Sequence, residues 1–190
     1  MNYYAVQVMG SREETFIQWM MHHQEEISTD IRFFFPRRRL TIRRQGKHFQ
    51  ELYPVFPGYV FVEASEVSIQ LYKLVRRAPY FCRFLPSNDN IQPLGARDLA
   101  ILVHFIGNND IAESSKVYFD ENDRIVVVSG PLSGMEGNIV KVDRRKKRAK
   151  VRLDFANEAF HLDLAFDVIE RSSKGASSVE ESLKEPDKNK

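Results

Sequence analysis

Two clusters of basic side chains are the residues of this sequence best suited to bind another molecule. The first, at residues 37–47, holds six cations and no acid; the second, at residues 141–152, holds eight cations and one acid, Asp143. Clustered lysines and arginines attract polyanions, and they gain affinity for nucleic acid by releasing counterions from its phosphates. We name these segments the basic hairpin (37–47) and the basic run (141–152), and their charge favours a nucleic-acid partner.

The candidate nucleic-acid contacts fall into three groups. They are Arg37, Arg38, Arg39, Arg43, Arg44 and Lys47 in the basic hairpin; Arg144, Arg145, Lys146, Lys147, Arg148 and Lys150 in the basic run; and Arg76 and Arg77 at the end of a predicted helix. Each group has a plainer interpretation: a solvated hairpin, a solubilising turn, and cations that stabilise a helix C-terminus through its dipole.

Catalytic or metal chemistry has no comparable pattern. Five scattered histidines and the single Cys82 lack the spacing of a nucleophile with its base, and no Cys/His pair has zinc-site spacing. Gly130, Gly134 and Gly137 match neither a P-loop nor a dinucleotide fingerprint, so we interpret them as a structural loop. We expect no enzyme activity, no catalytic residue, no metal and no cofactor.

Composition places the chain among ordinary globular proteins. It has 190 residues, 43% of them hydrophobic, and a formal net charge of +2. No apolar run approaches the ~20 residues that span a bilayer, and the sequence enters a strand pattern directly after Met1. We therefore expect a cytoplasmic monomer without membrane contact. Residues 172–190 are rich in Ser, Lys and Glu, which predicts a disordered tail.

The first half of the chain alternates strands and helices. Residues 4–8 alternate like a half-buried strand, and a helix with an apolar stripe follows Ser11. Two β-rich runs (31–44 and 49–62) are separated by Gln45-Gly46-Lys47, which predicts a hairpin turn. A second helix (67–77), a strand (80–85) and a third helix (96–106) follow. The order βαββαβα predicts an α+β domain over residues 1–107, in which helices back a largely antiparallel sheet.

The second half predicts an all-β domain. Residues 108–122 have the polarity of a linker, and five short β-like runs follow within residues 123–171. These runs are residues 124–128, 137–142, 149–155, 160–164 and 167–169. Five short strands can close into a small barrel that has no exposed edge.

Two motifs resemble one known family. Residues 123–140, with Gly130-Pro131 between two strands, resemble the KOW motif of the bacterial NusG family, which opens an SH3-like barrel. Phe56-Pro57-Gly58-Tyr59 resembles the Phe-Pro-x-Tyr strand of the NusG N-terminal domain. The resemblance covers about residues 3–171 and implies a transcription elongation factor. Its first domain would bind the clamp helices of RNA polymerase beside the DNA, and its barrel would recruit other partners.

The second motif also predicts a docking surface. In a strand, Tyr59 and Phe61 share one face while Val60 and Val62 share the other. The valines suit burial under helices, which leaves the aromatic rings to form an apolar dock for polymerase. The candidate dock residues are Tyr4, Phe56, Pro57, Tyr59, Phe61 and Phe84. The plainer interpretation is ordinary core packing.

The basic run distinguishes this chain within the family. Its charge density resembles the specialised LoaP-type antiterminators, which implies a barrel that binds leader RNA; the non-template DNA strand is a further candidate, for the basic hairpin. Members that couple to Rho or the ribosome carry Phe-Gly where this chain has Ala156-Asn157, which argues against those two partners. The alternatives are a general NusG factor acting in pausing, termination and transcription–translation coupling, a ribosome-associated RNA-binding protein, and, last, an RNA-modifying enzyme.

Overall fold

Fourteen strands and three α-helices make up the structure, a computed structural model that describes residues 1–27, 30–106 and 110–170. In chain order the elements are β1 (Asn2–Val8), α1 (Glu13–His22), β2 (Arg32–Phe34), β3 (Arg37–Arg44), β4 (Lys47–Pro54), β5 (Tyr59–Ala64), α2 (Ile69–Arg77), β6 (Phe81–Phe84), β7 (Pro86–Ser87), β8 (Asn90–Ile91), α3 (Ala96–Phe105), β9 (Ile111–Ala112), β10 (Ser115–Phe119), β11 (Ile125–Ser129), β12 (Ile139–Asp143), β13 (Arg148–Phe155) and β14 (Glu158–Val168). The predicted tail and the predicted boundary at residue 107 lie outside the described residues.

A four-stranded antiparallel sheet forms the centre of the N-terminal half, in the order β2-β5-β1-β6. Helices α1 and α2 cover one face of this sheet. Phe16 and Met20 of α1 and Leu71 of α2 pack there against Val60 and Val62 of β5, and all five side chains are buried. The apolar spacing of each helix produces this packing, because residues three and four apart share one side of a helix.

The basic hairpin is a separate ribbon formed by β3 and β4. Arg44 pairs with Lys47, which leaves Gln45 and Gly46 as a two-residue turn, and both take positive φ. Two-residue hairpin turns require this conformation because it matches the twist of the flanking strands. Strand β9 then pairs in parallel with the start of β3.

The C-terminal half is a five-stranded β-structure in the order β11-β10-β14-β13-β12. The predicted α+β class with a β-rich C-terminal barrel is confirmed, but two strand assignments were wrong. The first barrel strand is β10, and the last two predicted runs are one eleven-residue strand, β14.

The segment predicted as a linker, residues 108–122, contains two strands, β9 and β10, which belong to different halves of the structure. Strand β9 belongs to the sheet of the basic hairpin, whereas β10 pairs with β11 and β14 of the barrel. The polar composition of this segment concealed β10, because a serine does not indicate a buried strand position. Ser115 is nevertheless fully buried, and its hydroxyl accepts a hydrogen bond from the Leu132 amide at 2.9 Å. The domain limits at residues 107 and 123 remain a prediction.

The Gly130 loop is a tightly packed turn of the barrel. Gly130 has φ +98°, and a Cβ added there would lie 2.6 Å from the Ser115 Cα. Gly134 has φ +78° but open space around it, while Gly137 does not take a left-handed φ. Gly134 is therefore required only for its backbone conformation, whereas Gly130 is required both for its conformation and for the lack of space for a side chain.

We expect Gly130→Ala to destabilise the barrel more than Gly134→Ala. Gly134→Ala should cost about 1 kcal/mol for the left-handed backbone alone, and Gly130→Ala roughly 1–3 kcal/mol more for the overlap with Ser115. Urea denaturation of both variants, followed by circular dichroism, measures the difference. Equal losses would show that backbone conformation alone accounts for the requirement for glycine at position 130.

Candidate functional site

Strand β5 carries an aromatic side that faces away from α1 and α2. Tyr59 and Phe61 point to this side, as alternation predicted, and Phe34 on the neighbouring β2 stacks on Phe61 with ring centroids 5.9 Å apart. Phe56 meets Phe61 edge-on at 5.4 Å. We name the surface formed by Phe34, Phe56, Tyr59 and Phe61 the aromatic face.

A tight turn places Phe56 and Tyr59 together. The Tyr59 amide donates to the Phe56 carbonyl at 3.1 Å, and Gly58 takes φ +83°, so Pro57 and Gly58 occupy the central positions of a type II turn. The Gly58 amide also donates to the Glu13 carboxylate at 2.6 Å, and Glu13 is 4% exposed. Glu13 therefore fixes this turn to the first turn of α1, a contact that no sequence pattern indicated.

The barrel covers the aromatic face. Phe155, at the end of β13, lies 4.6 Å from Phe56, 5.7 Å from Phe61 and 5.9 Å from Tyr59, measured between ring centroids. Phe160 of β14 lies 6.0 Å from Tyr59 and 6.1 Å from Phe56. Rings at these separations form favourable edge-to-face and tilted pairs. As a result, the two halves of the chain share one continuous apolar core.

Two predicted dock residues lie on the opposite side of the sheet. Tyr4 pairs with Val62 and Phe84 with Val6, and both aromatic side chains are buried among the residues under α1 and α2. Their grouping with Tyr59 was therefore wrong. Pro57 is exposed at the edge of the aromatic face, and Phe34 is the member that sequence reasoning missed.

Tyr59 also makes a polar contact across the domain boundary. Its hydroxyl interacts with the carboxylate of Glu158 on β14. Burial, the negative charge of Glu158 and hydrogen bonding to this carboxylate raise the pKa of Tyr59 to about 12, from an ordinary value of 10.0. The phenol thus stays protonated while the domains are in contact.

Three further polar contacts join the two halves of the chain. Arg148 of β13 donates to the Thr41 carbonyl in the basic hairpin at 2.5 Å, and Arg97 of α3 lies 3.4 Å from Asp154. The His104 Nε2–H of α3 donates to the Pro131 carbonyl at 2.7 Å. An apolar centre with a polar rim is the usual anatomy of a protein interface.

The same contact brings the basic hairpin against the basic run. Two adjoining hollows of about 340 and 480 Å³ lie between them. Both are lined by Thr41 of the hairpin, by His48 of β4 next to it, and by Arg145, Lys146 and Arg148 of the run. Arg39 and Lys147 line the first hollow, and Arg43 lines the second. We name the two hollows together the basic groove.

Several of the predicted basic contacts are already engaged within the chain. Arg39 pairs with Glu113 at 2.9 Å, Arg44 with Glu51 at 2.9 Å, and Arg144 with Asp123 at 3.0 Å. Arg144 also stacks on the Phe119 ring, 3.8 Å from its centroid. Arg144 therefore holds the barrel surface together on the side of the β10–β11 turn.

Other predicted basic residues lie beside the groove or away from it. Lys47 is exposed in the hairpin turn, Lys150 lines a smaller hollow with Asp163, and Arg37 lies 3.9 Å from Glu14. Arg76 and Arg77 are on α2, which packs on the far side of the sheet from the barrel, and Arg77 pairs with Glu26 at 2.9 Å. The structure does not bring these two arginines to the groove.

Arg38 is an enclosed cation between the domains. Its pKa is lowered to about 10, mainly by burial and also by neighbouring Arg148, whereas Asp163 and Tyr53 act in the opposite direction. Its guanidinium donates to the Pro54 carbonyl. Arg38 is thus charged at neutral pH and stands close to a second cation from the other domain.

Within the described ranges, no group of three or more His, Cys, Asp or Glu residues could hold a metal ion. In the same part of the chain, no helix is long and apolar enough to cross a membrane.

A family model described as transcription termination factor NusG matches residues 1–103, more than half of the chain. The chain belongs to the NusG family. It is 22% identical over 176 residues to the transcription termination/antitermination protein NusG of Buchnera aphidicola, covering 90% of this chain and 96% of the relative. The protein of the same name from Vibrio cholerae is 24% identical over 175 residues, covering 89% and 94%.

A solved structure concerning domain interaction in Thermotoga maritima NusG supports the fold. It aligns with a TM-score of 0.57 and 24% identity, covering 86% of this chain and 93% of that one. The NusG-family relatives named above are transcription factors by description rather than enzymes.

The Tyr59–Glu158 contact predicts a pH dependence of domain closure. A tyrosine in the open state titrates near 10, so between about pH 10 and pH 12 the open state releases its proton first. The closed arrangement is therefore at full strength below pH 10 and weakens as pH rises towards 12. The difference of two pH units corresponds to about 3 kcal/mol.

Comparing the tyrosinate absorbance titration of the wild-type chain with that of Tyr59→Phe isolates this group. The Glu158→Gln substitution should move the titration midpoint of Tyr59 down towards 10, because it removes the negative charge next to the phenol. Glu63→Gln, which removes a carboxylate beside Tyr3 instead, should leave it unchanged. A Tyr59 midpoint near 10 in the wild-type chain would contradict the buried contact with Glu158.

Proposed function

We propose that this chain is a transcription elongation regulator that binds RNA polymerase through its aromatic face and acts in antitermination through an RNA-binding barrel. The NusG-family description, termination and antitermination, supports the general role. The aromatic face and the basic run support the more specific role in polymerase binding and RNA-dependent antitermination.

The observation that carries the polymerase proposal is the covering of the aromatic face by a second domain. Phe56, Tyr59 and Phe61 belong to the N-terminal sheet, yet rings from the barrel bury them. Without the barrel they would leave an exposed apolar patch, and such patches mark protein interaction sites. The NusG resemblance implies the clamp helices of polymerase as the partner.

Closure makes polymerase binding conditional. The barrel and the polymerase would occupy the same face, so only chains with the barrel displaced can bind. The apparent affinity is then the affinity of the open state reduced by the fraction of open chains. Weakening the domain contact from the barrel side should therefore strengthen polymerase binding.

The RNA proposal depends on the basic run. Arg145 and Lys147 are exposed and form no ion pair with any part of the chain that the structure describes. Free cations in a hairpin turn are available to phosphate oxygens, which fix a protein on a nucleic acid. The density of this run supports a specialised antiterminator over a general NusG factor. The polymerase-docking face argues against a ribosomal role.

The polymerase proposal predicts opposite effects from the two sides of one contact. Phe160→Ala, which removes a barrel ring, should raise the affinity for purified RNA polymerase by up to about thirtyfold, the equivalent of ~2 kcal/mol of lost closure. Tyr59→Ala, which removes a ring of the aromatic face itself, should lower it. Titration of the labelled full-length chain with polymerase measures both.

Unfolding of the whole chain would abolish polymerase binding, but unfolding of the barrel alone would also uncover the aromatic face. Circular dichroism and urea denaturation of Phe160→Ala therefore accompany the titration. Val128→Ala on β11, an exposed barrel residue away from the contact, serves as the control. Unchanged affinity in both Phe160→Ala and Tyr59→Ala, with folding intact, would remove the aromatic face as the polymerase site.

Antitermination predicts increased readthrough. In single-round transcription with the cognate polymerase, a template carrying a hairpin-forming leader ahead of an intrinsic terminator should give more full-length RNA when the chain is added. The double variant Arg145→Gln/Lys147→Gln should lose most of this gain, whereas Lys73→Gln on α2 should retain it. Reduced readthrough with the wild-type chain would instead indicate a general termination factor.

A further inference from the structure

The basic groove is built from both domains and exists only while they are in contact. Arg39 and Arg43 come from the basic hairpin, His48 comes from β4 next to it, and Arg145 and Lys147 come from the basic run. These two segments are about a hundred residues apart in sequence. Displacing the barrel from the aromatic face would separate them and divide the groove into two weaker positive surfaces.

The charge in the groove is only partly balanced within the chain. Glu113 and Asp167 line the first hollow, where Glu113 pairs with Arg39. Arg43, Arg145 and Lys147 form no ion pair among the described residues, and the hollow lined by Arg43 contains no carboxylate. Like charges brought together oppose closure, and a bound polyanion would remove that repulsion.

The most enclosed cations show the same deficit. The Nε atoms of Arg38 and Arg148 are buried without a hydrogen-bond partner in the described part of the chain. Arg148 reaches Asp163 only at 3.8 Å. The aromatic contact thus holds together a set of cations that gain from an added anion.

The lining of the groove favours a double-stranded nucleic acid over a single strand. Single strands are bound by stacking bases on exposed aromatic rings, and the aromatic ring in the lining, Phe166, is only 1% exposed. The exposed positions between the cations are Thr41, His48 and Gln50, which can hydrogen-bond to sugar hydroxyls. Contacts to phosphates and 2′-hydroxyls are how proteins bind duplex RNA.

We propose that the basic groove binds the backbone of an RNA duplex in the closed chain, so that RNA and polymerase favour opposite arrangements of the two domains. The inference rests on the proposed function, since it takes the basic run to contact RNA, and adds the basic hairpin and the closed arrangement to that contact. In the open chain the basic run alone would bind RNA more weakly.

Linkage makes this coupling reciprocal. If RNA binds the closed chain more tightly, it lowers the affinity for polymerase by the same factor by which polymerase lowers the affinity for RNA. A bound duplex would therefore keep the free chain closed, and polymerase would capture the chain as the RNA is released.

The test measures binding of a labelled RNA hairpin to the full-length chain at several salt concentrations, with the DNA hairpin of the same sequence in parallel. Five variants are compared: Arg43→Gln in the hairpin, Arg145→Gln/Lys147→Gln in the run, Phe160→Ala and Tyr59→Ala on the two sides of the domain contact, and Lys73→Gln on α2. Lys73→Gln is the control for Arg43→Gln, because each removes one cation.

We expect Arg43→Gln to weaken RNA binding and to lower the slope of log affinity against log salt by about one, as a lost phosphate contact does. Phe160→Ala should weaken RNA binding about fivefold or more while leaving every groove cation in place. Tyr59→Ala opens the contact from the other domain and should give the same loss. Lys73→Gln should bind as the wild type.

Other outcomes overturn the proposal in distinguishable ways. If only Arg145→Gln/Lys147→Gln weakens binding, the barrel binds RNA by itself, and the composite groove is wrong while the proposed function stands. If no groove variant weakens binding, both fail. If the DNA hairpin binds as tightly as the RNA hairpin, the groove recognises phosphate alone and the assignment to RNA is wrong.

Discussion

The N-terminal sheet has apolar side chains on both of its faces, and this constraint organises the rest of the molecule. Helices α1 and α2 cover the valine side, whereas on the aromatic side α3 contributes Phe105, which meets Phe56. Phe155 completes the cover from the barrel. A sheet with two apolar faces needs two covering layers, so the position of the barrel follows from the composition of β5.

Sequence reasoning succeeded where a single strand or turn contained all the information. Alternation placed Tyr59 and Phe61 opposite Val60 and Val62, and Gln45-Gly46 marked the hairpin turn. It failed for Tyr4 because the side of a neighbouring strand depends on register, and a shift of one residue exchanges its two faces. The buried Ser115 concealed β10 for a related reason, since a partner in the Gly130 loop satisfies its hydroxyl.

The two positive segments were evident from the sequence, but their meeting was not. The basic hairpin and the basic run come together because aromatic rings elsewhere fix the two domains, while the charges themselves oppose the arrangement. Hydrophobic contact thus sets the geometry and electrostatics sets its sensitivity to bound anions. An anion bound in the basic groove therefore shifts the equilibrium between the open and closed arrangements of the two domains towards the closed one.

The short connection between the domains limits how far the barrel can move. Nine residues separate the end of α3 at Phe105 from the start of β10 at Ser115, and Ile111–Ala112 of that segment is paired with β3. Even with that pairing broken, nine extended residues span about 30 Å. A released barrel therefore stays at an effective concentration on the order of millimolar beside the aromatic face. Any partner bound to the aromatic face therefore competes with the barrel, which is covalently attached and returns without diffusing from solution.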